Sequence, residues 1–75
     1  MAVPSPEPES IEIVLNGETR SVRRGTTVAA LVDELGIGSG RVAVERNRSI
    51  LPRGEWSLEL VADDRLEVVA FVGGG

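Results

Sequence analysis

An Asn16-Gly17 dipeptide between two segments of strand-like sequence is the feature that most restricts the fold of this chain. Apolar residues occupy every second position of residues 11–15 before it, and residues 18–22 follow it as a short polar-apolar segment. Asn-Gly favours a two-residue type I′ turn, because both central positions of that turn need a positive φ. The sequence therefore predicts an antiparallel β-hairpin with one apolar face.

A single amphipathic helix is predicted to follow this hairpin. Thr26 is placed as its N-cap, and Gly36 is placed to end it in the left-handed conformation. One apolar stripe, spaced i, i+3, i+4 and i+7, consists of Val28, Leu31, Val32 and Leu35. One short helix with one apolar stripe covers one face of a sheet and leaves the other face in solvent.

The second half of the sequence predicts two further strands. One covers residues 42–44 and is followed by a turn at Asn47, and the other covers residues 66–72. Between them Pro52 is compatible only with an edge position, and Trp56 is expected to lie on the core. Asp63 and Asp64 predict a polar turn before the last strand. The chain is thus an α+β fold with a mixed four- to five-stranded sheet and one main helix packed on one face.

The composition excludes most catalysis by side chains. The 75 residues include no Cys, His, Lys or Tyr. Disulfides, thiol or imidazole nucleophiles and lysine Schiff bases are therefore excluded, and no metal site is expected. A self-contained enzyme is not expected from such a chain.

Charge and hydropathy restrict the partners. The net charge of −4 opposes binding to nucleic-acid phosphates and to anionic membrane surfaces. No apolar run approaches the roughly 20 residues of a membrane-spanning helix, and the N-terminus lacks the pattern of a signal peptide. We expect a cytoplasmic protein with neither a nucleic-acid nor a membrane partner.

Three segments are expected along the chain. Pro4, Pro6 and Pro8 predict that residues 1–10 form a disordered Pro-rich tail. Residues 11–72 form the domain, and residues 73–75 form a flexible glycine tail. The glycine-rich residues 36–40 are interpreted as a plain helix-to-strand connection, because no strand precedes them and no Lys follows, as a phosphate-binding loop requires.

The folded part resembles the ThiS family, the sulfur-carrier proteins of thiamin biosynthesis. The family's hydrophobic-Pro-Arg step followed by a Trp looks like Ile50-Leu51-Pro52-Arg53 and Trp56. Its first strand and Asn-Gly turn look like residues 13–17, and its last strand with a terminal diglycine looks like residues 64–75. The longer N-terminal segment and a glycine at position 73 depart from the usual pattern. The resemblance implies a ubiquitin-like β-grasp fold.

The resemblance also implies a function that uses main-chain chemistry. In the family an E1-like (ThiF-like) adenylyltransferase consumes ATP to adenylate the terminal glycine, which is then converted to a thiocarboxylate. By resemblance that residue is Gly75, and Gly73, Gly74 and Gly75 form the tail presented to partner active sites. The sulfur comes from a donor such as a cysteine desulfurase and goes to a ThiG-like thiazole synthase. The chain itself is then a carrier, not an enzyme, and binds no cofactor.

Other functions share these features. A sulfur carrier of another pathway, such as the small subunit of molybdopterin synthase or a donor for cysteine or tRNA thiolation, has the same fold and tail. A ubiquitin-like modifier that forms isopeptide bonds, or an interaction domain with an incidental glycine tail, is a further alternative. The spacing of the Pro-Arg step and Trp56 favours the thiamin branch.

A partner interface is predicted beside the tail. Along the last strand, Arg65, Glu67, Val69 and Phe71 share one face, opposite Leu66, Val68, Ala70 and Val72. If the helix covers only the second face, Val69 and Phe71 form an exposed apolar patch, joined by Val72 at the tail and by Val14 from a neighbouring strand. The alternative is that these residues are buried as part of a central strand.

Overall fold

The computed structural model describes residues 9–37 and 41–71. The predictions for residues 1–8, for residues 38–40 of the glycine-rich loop, and for Val72, Gly73, Gly74 and Gly75 lie outside the described residues. In the described part, no helix is long and apolar enough to cross a membrane.

Within residues 9–37 and 41–71, a five-stranded mixed sheet and one α-helix confirm the predicted α+β fold. The strands lie in the order β2-β1-β5-β3-β4, with β1 and β5 parallel and the other neighbours antiparallel. The elements are β1 (Ser10–Leu15), β2 (Glu18–Arg23), α1 (Val28–Glu34), β3 (Val42–Arg46), β4 (Ser49–Ile50), a 3₁₀ turn (Arg53–Glu55) and β5 (Arg65–Ala70). β1 begins at Ser10, one residue before the start that the sequence predicts for the domain.

The turns between β1 and β2 and between β3 and β4 both have a left-handed backbone. Asn16 and Gly17 have φ values of 50° and 83°, which confirms the predicted hairpin turn. Asn47 and Arg48 connect β3 to β4 with φ values of 50° and 73°. Glycine is the usual residue at the second position of such a turn, so Arg48 holds a backbone conformation that its side chain disfavours.

The helix begins one residue later than predicted. Its N-cap is Thr27, whose Oγ1 accepts a hydrogen bond of 3.1 Å from the amide of Ala30. Thr26 does not cap the helix. Its amide donates to the Arg23 carbonyl, and its carbonyl accepts from the Leu60 amide. Gly36 ends the helix with a φ of 68°, as predicted.

The core lies between α1 and one face of the sheet. Trp56 is buried as predicted, and its indole N–H donates a 3.2 Å hydrogen bond to the Leu51 carbonyl. The Arg53 guanidinium lies 4.9 Å from the centre of the Trp56 ring. The buried apolar residues are Ile13, Leu15, Val22, Val28, Leu31, Val32, Val44, Trp56, Leu60, Leu66 and Val68.

Candidate partner-docking site

Strand β5 has one buried face and one exposed face. Leu66 and Val68 point into the core, with 1% and 7% of their surface exposed. Val69 and Phe71 are 51% and 58% exposed. The alternative that these two residues are buried in a central strand is therefore wrong. The strand ends at Ala70 and not at residue 72, and Ala70 is exposed, although the sequence places it with the core residues.

The outer surface continues beside Val69 and Phe71 as half-buried Ala43 of β3 and exposed, charged Arg41. In the antiparallel β3–β5 pair, Ala43 lies opposite Val69. The amide of Phe71 donates a 2.8 Å hydrogen bond to the carbonyl of Arg41, which continues this pairing by one residue. We call Arg41, Ala43, Val69 and Phe71 the docking face. It lies on the side of the sheet away from the helix.

Val14 does not adjoin the docking face. It pairs with Arg65 at the other end of β5, four residues or about 13 Å along the strand from Val69. Glu67 lies between these two positions, directly opposite Glu45 of β3. This polar end of the outer surface contains an open groove of about 240 Å³ lined by Val14, Gly17, Glu45, Arg48, Arg65, Leu66 and Glu67.

Two side chains hold β5 in place through hydrogen bonds, and we call them its anchors. The first anchor is the buried carboxylate of Asp64. Asp64 is only 3% exposed, and its Oδ2 accepts from Arg46 Nη2 at 2.7 Å and from the amide of Val61 at 2.9 Å. Its Oδ1 accepts from Asn47 Nδ2 at 3.2 Å. Asp64 is thus not the exposed turn residue that the sequence predicts, whereas Asp63, with a φ of 69°, is in the turn.

Opposing effects act on the acidity of Asp64. Burial is the largest and would raise its pKa, because it disfavours the charged form. Hydrogen bonds from Val61, Arg46 and Asn47, with the positive charge of Arg46, outweigh it and lower the pKa below its ordinary value. The carboxylate is therefore ionised at neutral pH and holds Asp64, the residue directly before β5, against the end of β3.

The second anchor is the Asn16 side chain at the first hairpin turn. Its Oδ1 accepts a 2.8 Å hydrogen bond from the amide of Val68, and its Nδ2 donates to the Val68 carbonyl at 3.3 Å. The Asn16 side chain thus bonds to β5 in the way that the main chain of one further β1 residue would. The sequence indicates Asn16 only as a turn residue, and no local signal points to a partner 52 positions away.

The described residues contain no group of three or more His, Cys, Asp or Glu side chains that could hold a metal ion. The predicted interface residues Val69 and Phe71 share one exposed surface, while Val72 and the glycine tail follow them in sequence outside the described part. The four residues from Val72 to Gly75 can span at most about 14 Å.

Comparisons with known proteins agree with this architecture. A model of the ThiS family matches residues 13–75. The crystal structure of a thiamine biosynthesis protein (ThiS) from Geobacter metallireducens is 26% identical, with a TM-score of 0.70 over 87% of this chain and 100% of that one.

Similar sequences include proteins both longer than the chain and of comparable length. A thiazole synthase of Paramagnetospirillum magneticum is 48% identical over 66 residues, which are 87% of this chain and 20% of that protein. An uncharacterized protein ycf40 of Pyropia yezoensis is 37% identical over 88% of this chain and 94% of its own length. The chain thus spans about a fifth of the thiazole synthases that it matches. From the family match over most of its length, the chain belongs to the ThiS family.

Proposed function

We propose that this chain is a sulfur carrier for thiazole formation in thiamin biosynthesis and that Gly75 carries the sulfur. One observation carries the choice of pathway: two thiazole synthases contain a segment 48% and 44% identical to 87% of this chain. In those proteins a carrier-like segment and the remainder of a thiazole synthase occur in one polypeptide. This supports a separate thiazole synthase as the protein that accepts sulfur from this chain.

The chemistry follows from the state of a terminal carboxylate. With a reference pKa of about 3.3–3.7 it is an anion at pH 7 and a poor electrophile. In the proposed reaction a carboxylate oxygen of Gly75 attacks the α-phosphorus of ATP in an E1-like adenylyltransferase, and pyrophosphate leaves. A sulfide equivalent, delivered as a persulfide by a donor such as a cysteine desulfurase and released by a thiol reductant, then attacks the carbonyl carbon and AMP leaves.

The described residues support the role of a presented substrate. The docking face adjoins the point where the chain continues toward Gly75, so a partner that binds Val69 and Phe71 is close to the tail. Glycines at positions 73–75 suit a tail that enters an active site, because without a Cβ they let enzyme walls approach the main chain. Val72 is included in the proposed interface from its place in the sequence.

The test is an intact-mass measurement. The protein is incubated with ATP, a ThiF-like adenylyltransferase from the same organism and a sulfur source, and we expect the mass gain of one sulfur replacing one oxygen at Gly75. Adding the thiazole synthase and its substrates should then return the original mass. A carrier that is never adenylated, or that returns sulfur only to molybdopterin synthase or a tRNA-thiolating enzyme, would contradict the proposal. A covalent conjugate to a lysine would indicate a modifier instead.

Phe71→Asp tests the docking face in the same assay. A charge on an exposed apolar contact should lower kcat/KM for adenylation by about tenfold or more, with an unchanged circular dichroism spectrum. Leu58→Asp is the matched control, because Leu58 is also a large exposed apolar residue, at 46%, but lies outside the docking face. Equal effects of the two substitutions would argue against this surface as the interface.

A further inference from the structure

The main-chain groups of β5 point alternately to its two neighbours. Those of Arg65 and Phe71 bond toward β3, as shown by the bonds from Asn47 to Arg65 and from Phe71 to Arg41. Asp64 and Leu66 bond toward β1, where their carbonyls accept from the amides of Val14 and Asn16, both at 2.8 Å. Even-numbered residues of β5 therefore present their N–H and C=O groups on the β1 side.

The β1 side is open beyond Val68. β1 ends at Leu15, and the pairing of β1 with β5 reaches only Leu66. The Asn16 side chain then satisfies both main-chain groups of Val68. The next even residue, Ala70, presents its N–H and C=O to the same side, and no described residue pairs with them there. β5 is thus an inner strand over its first half and an edge strand at Ala70.

This open edge differs from the two outer edges of the sheet. The β2 edge carries Glu18, Arg20 and Arg23, charged residues of the kind that prevent another strand from pairing. The β4 edge is only two residues long and is followed within two residues by Pro52. Ala70 has the small side chain of an unprotected edge, and its neighbours Val69 and Phe71 are exposed and apolar.

We propose that an extended segment of the activating adenylyltransferase pairs with β5 at Ala70, accepting a hydrogen bond from its N–H and donating one to its C=O. The inference rests on the proposed function. Unpaired strand edges recognise extended polypeptide, and neighbouring side-chain pockets supply specificity, a role that Val69 and Phe71 fill here. Pairing at Ala70 also aligns the main chain that continues for five residues, at most about 18 Å, to Gly75.

The first test removes the N–H donor of Ala70. Ala70→Pro deletes an N–H that faces away from β3, so the β3–β5 ladder keeps its bonds. We expect kcat/KM for adenylation to fall by about tenfold or more, the effect of losing a main-chain bond and blocking the approach of a strand. Ser21→Pro is the matched control on the charged β2 edge, where the N–H of Ser21 also faces outward, and its kcat/KM should stay within about twofold of the wild type.

The second test uses the unmodified protein. Hydrogen exchange of the Ala70 amide should slow at least about tenfold when the adenylyltransferase is added, while exchange at Ser21 stays unchanged. An unaltered Ala70 rate in a catalytically active mixture would overturn the inference and leave the proposed function intact. Protection of Ala70 that grows with carrier concentration alone would overturn it in favour of a second copy of this chain. Failure of the wild type to be adenylated at all would instead contradict the proposed function.

Discussion

Replacing Asp64 should destabilise the fold more than any other single change of a charged residue in the described part of the chain. Its carboxylate accepts from Arg46, from Asn47 and from the Val61 amide, and it is 3% exposed. Asp64→Ala leaves Arg46, whose side chain is 18% exposed, without its ionic partner. Breaking a buried pair costs about 3–5 kcal/mol, and partial hydration of Arg46 places our estimate near the lower figure. Asp64→Asn keeps the volume and should cost about 2 kcal/mol.

The effect should depend on pH in a defined direction. The folded protein holds the pKa of Asp64 below its ordinary value, so the unfolded chain, with a pKa of about 3.9, binds the proton more readily. The contribution of the ionised group is therefore present above about pH 4 and is lost as the pH falls through the folded pKa. The difference in unfolding free energy between wild type and Asp64→Asn should be constant from pH 6 to 8 and should shrink below about pH 4.

Urea unfolding followed by the fluorescence of Trp56 measures both quantities, because this buried indole is the sole Trp of the chain. At about 4–8 °C per kcal/mol for a domain of this size, Asp64→Ala should also lower Tm by at least about 12 °C. Asp63→Asn is the matched control, since Asp63 is exposed and Asn tolerates its φ of 69°. A change within about 0.5 kcal/mol for Asp64→Asn, or a difference that persists unchanged at pH 3, would refute the reasoning.

Two further substitutions test the turns that flank β5. Asn16→Ala removes both hydrogen bonds to Val68 and places Ala at a φ of 50°, so we expect a loss of about 2–3 kcal/mol in urea unfolding. Asn16→Gly relieves the backbone and should recover part of that loss. Arg48→Gly removes a side chain from a backbone with a φ of 73° and should raise Tm by a few degrees, the equivalent of about 0.5–1 kcal/mol. An unchanged or lower Tm would show that the Arg48 side chain makes a stabilising contribution larger than the backbone cost.

Local patterns predicted the elements that depend on local energies. The left-handed turn at Asn16 and Gly17 and the helix stop at Gly36 follow from backbone preferences of single residues, and both are present. The exposed face of β5 followed from period-2 alternation combined with a single helix, because one helix covers only one side of a sheet. Phe71 and Val69 were identified on that basis, and both are exposed.

Contacts between distant residues could not be predicted in the same way. An Asp-Asp pair is typical of a solvated turn, whereas the burial of Asp64 depends on Arg46 and Asn47. These residues lie 18 and 17 positions earlier, at the end of β3 and in the turn that follows it. The sequence predicts the N-cap one residue too early, because Thr26 and Thr27 have the same capping chemistry. Only the pairing of Thr26 with Arg23 and Leu60 decides between them. The open edge at Ala70 likewise depends on where β1 stops relative to β5, which is a property of the register.

The two anchors of β5 explain how an exposed strand end is kept in one geometry. Strand β5 buries only every second side chain, and Val69 and Phe71 on the outer side of the sheet are more than half exposed. Asp64 is held directly before the strand and Asn16 fixes Val68, so polar contacts hold β5 up to the position before Val69. A docking face already ordered in the free protein avoids the entropic cost of ordering it on association. Asn16→Ala should therefore weaken adenylation as well as the fold, with a larger rise in KM than Arg48→Gly, which leaves both anchors in place.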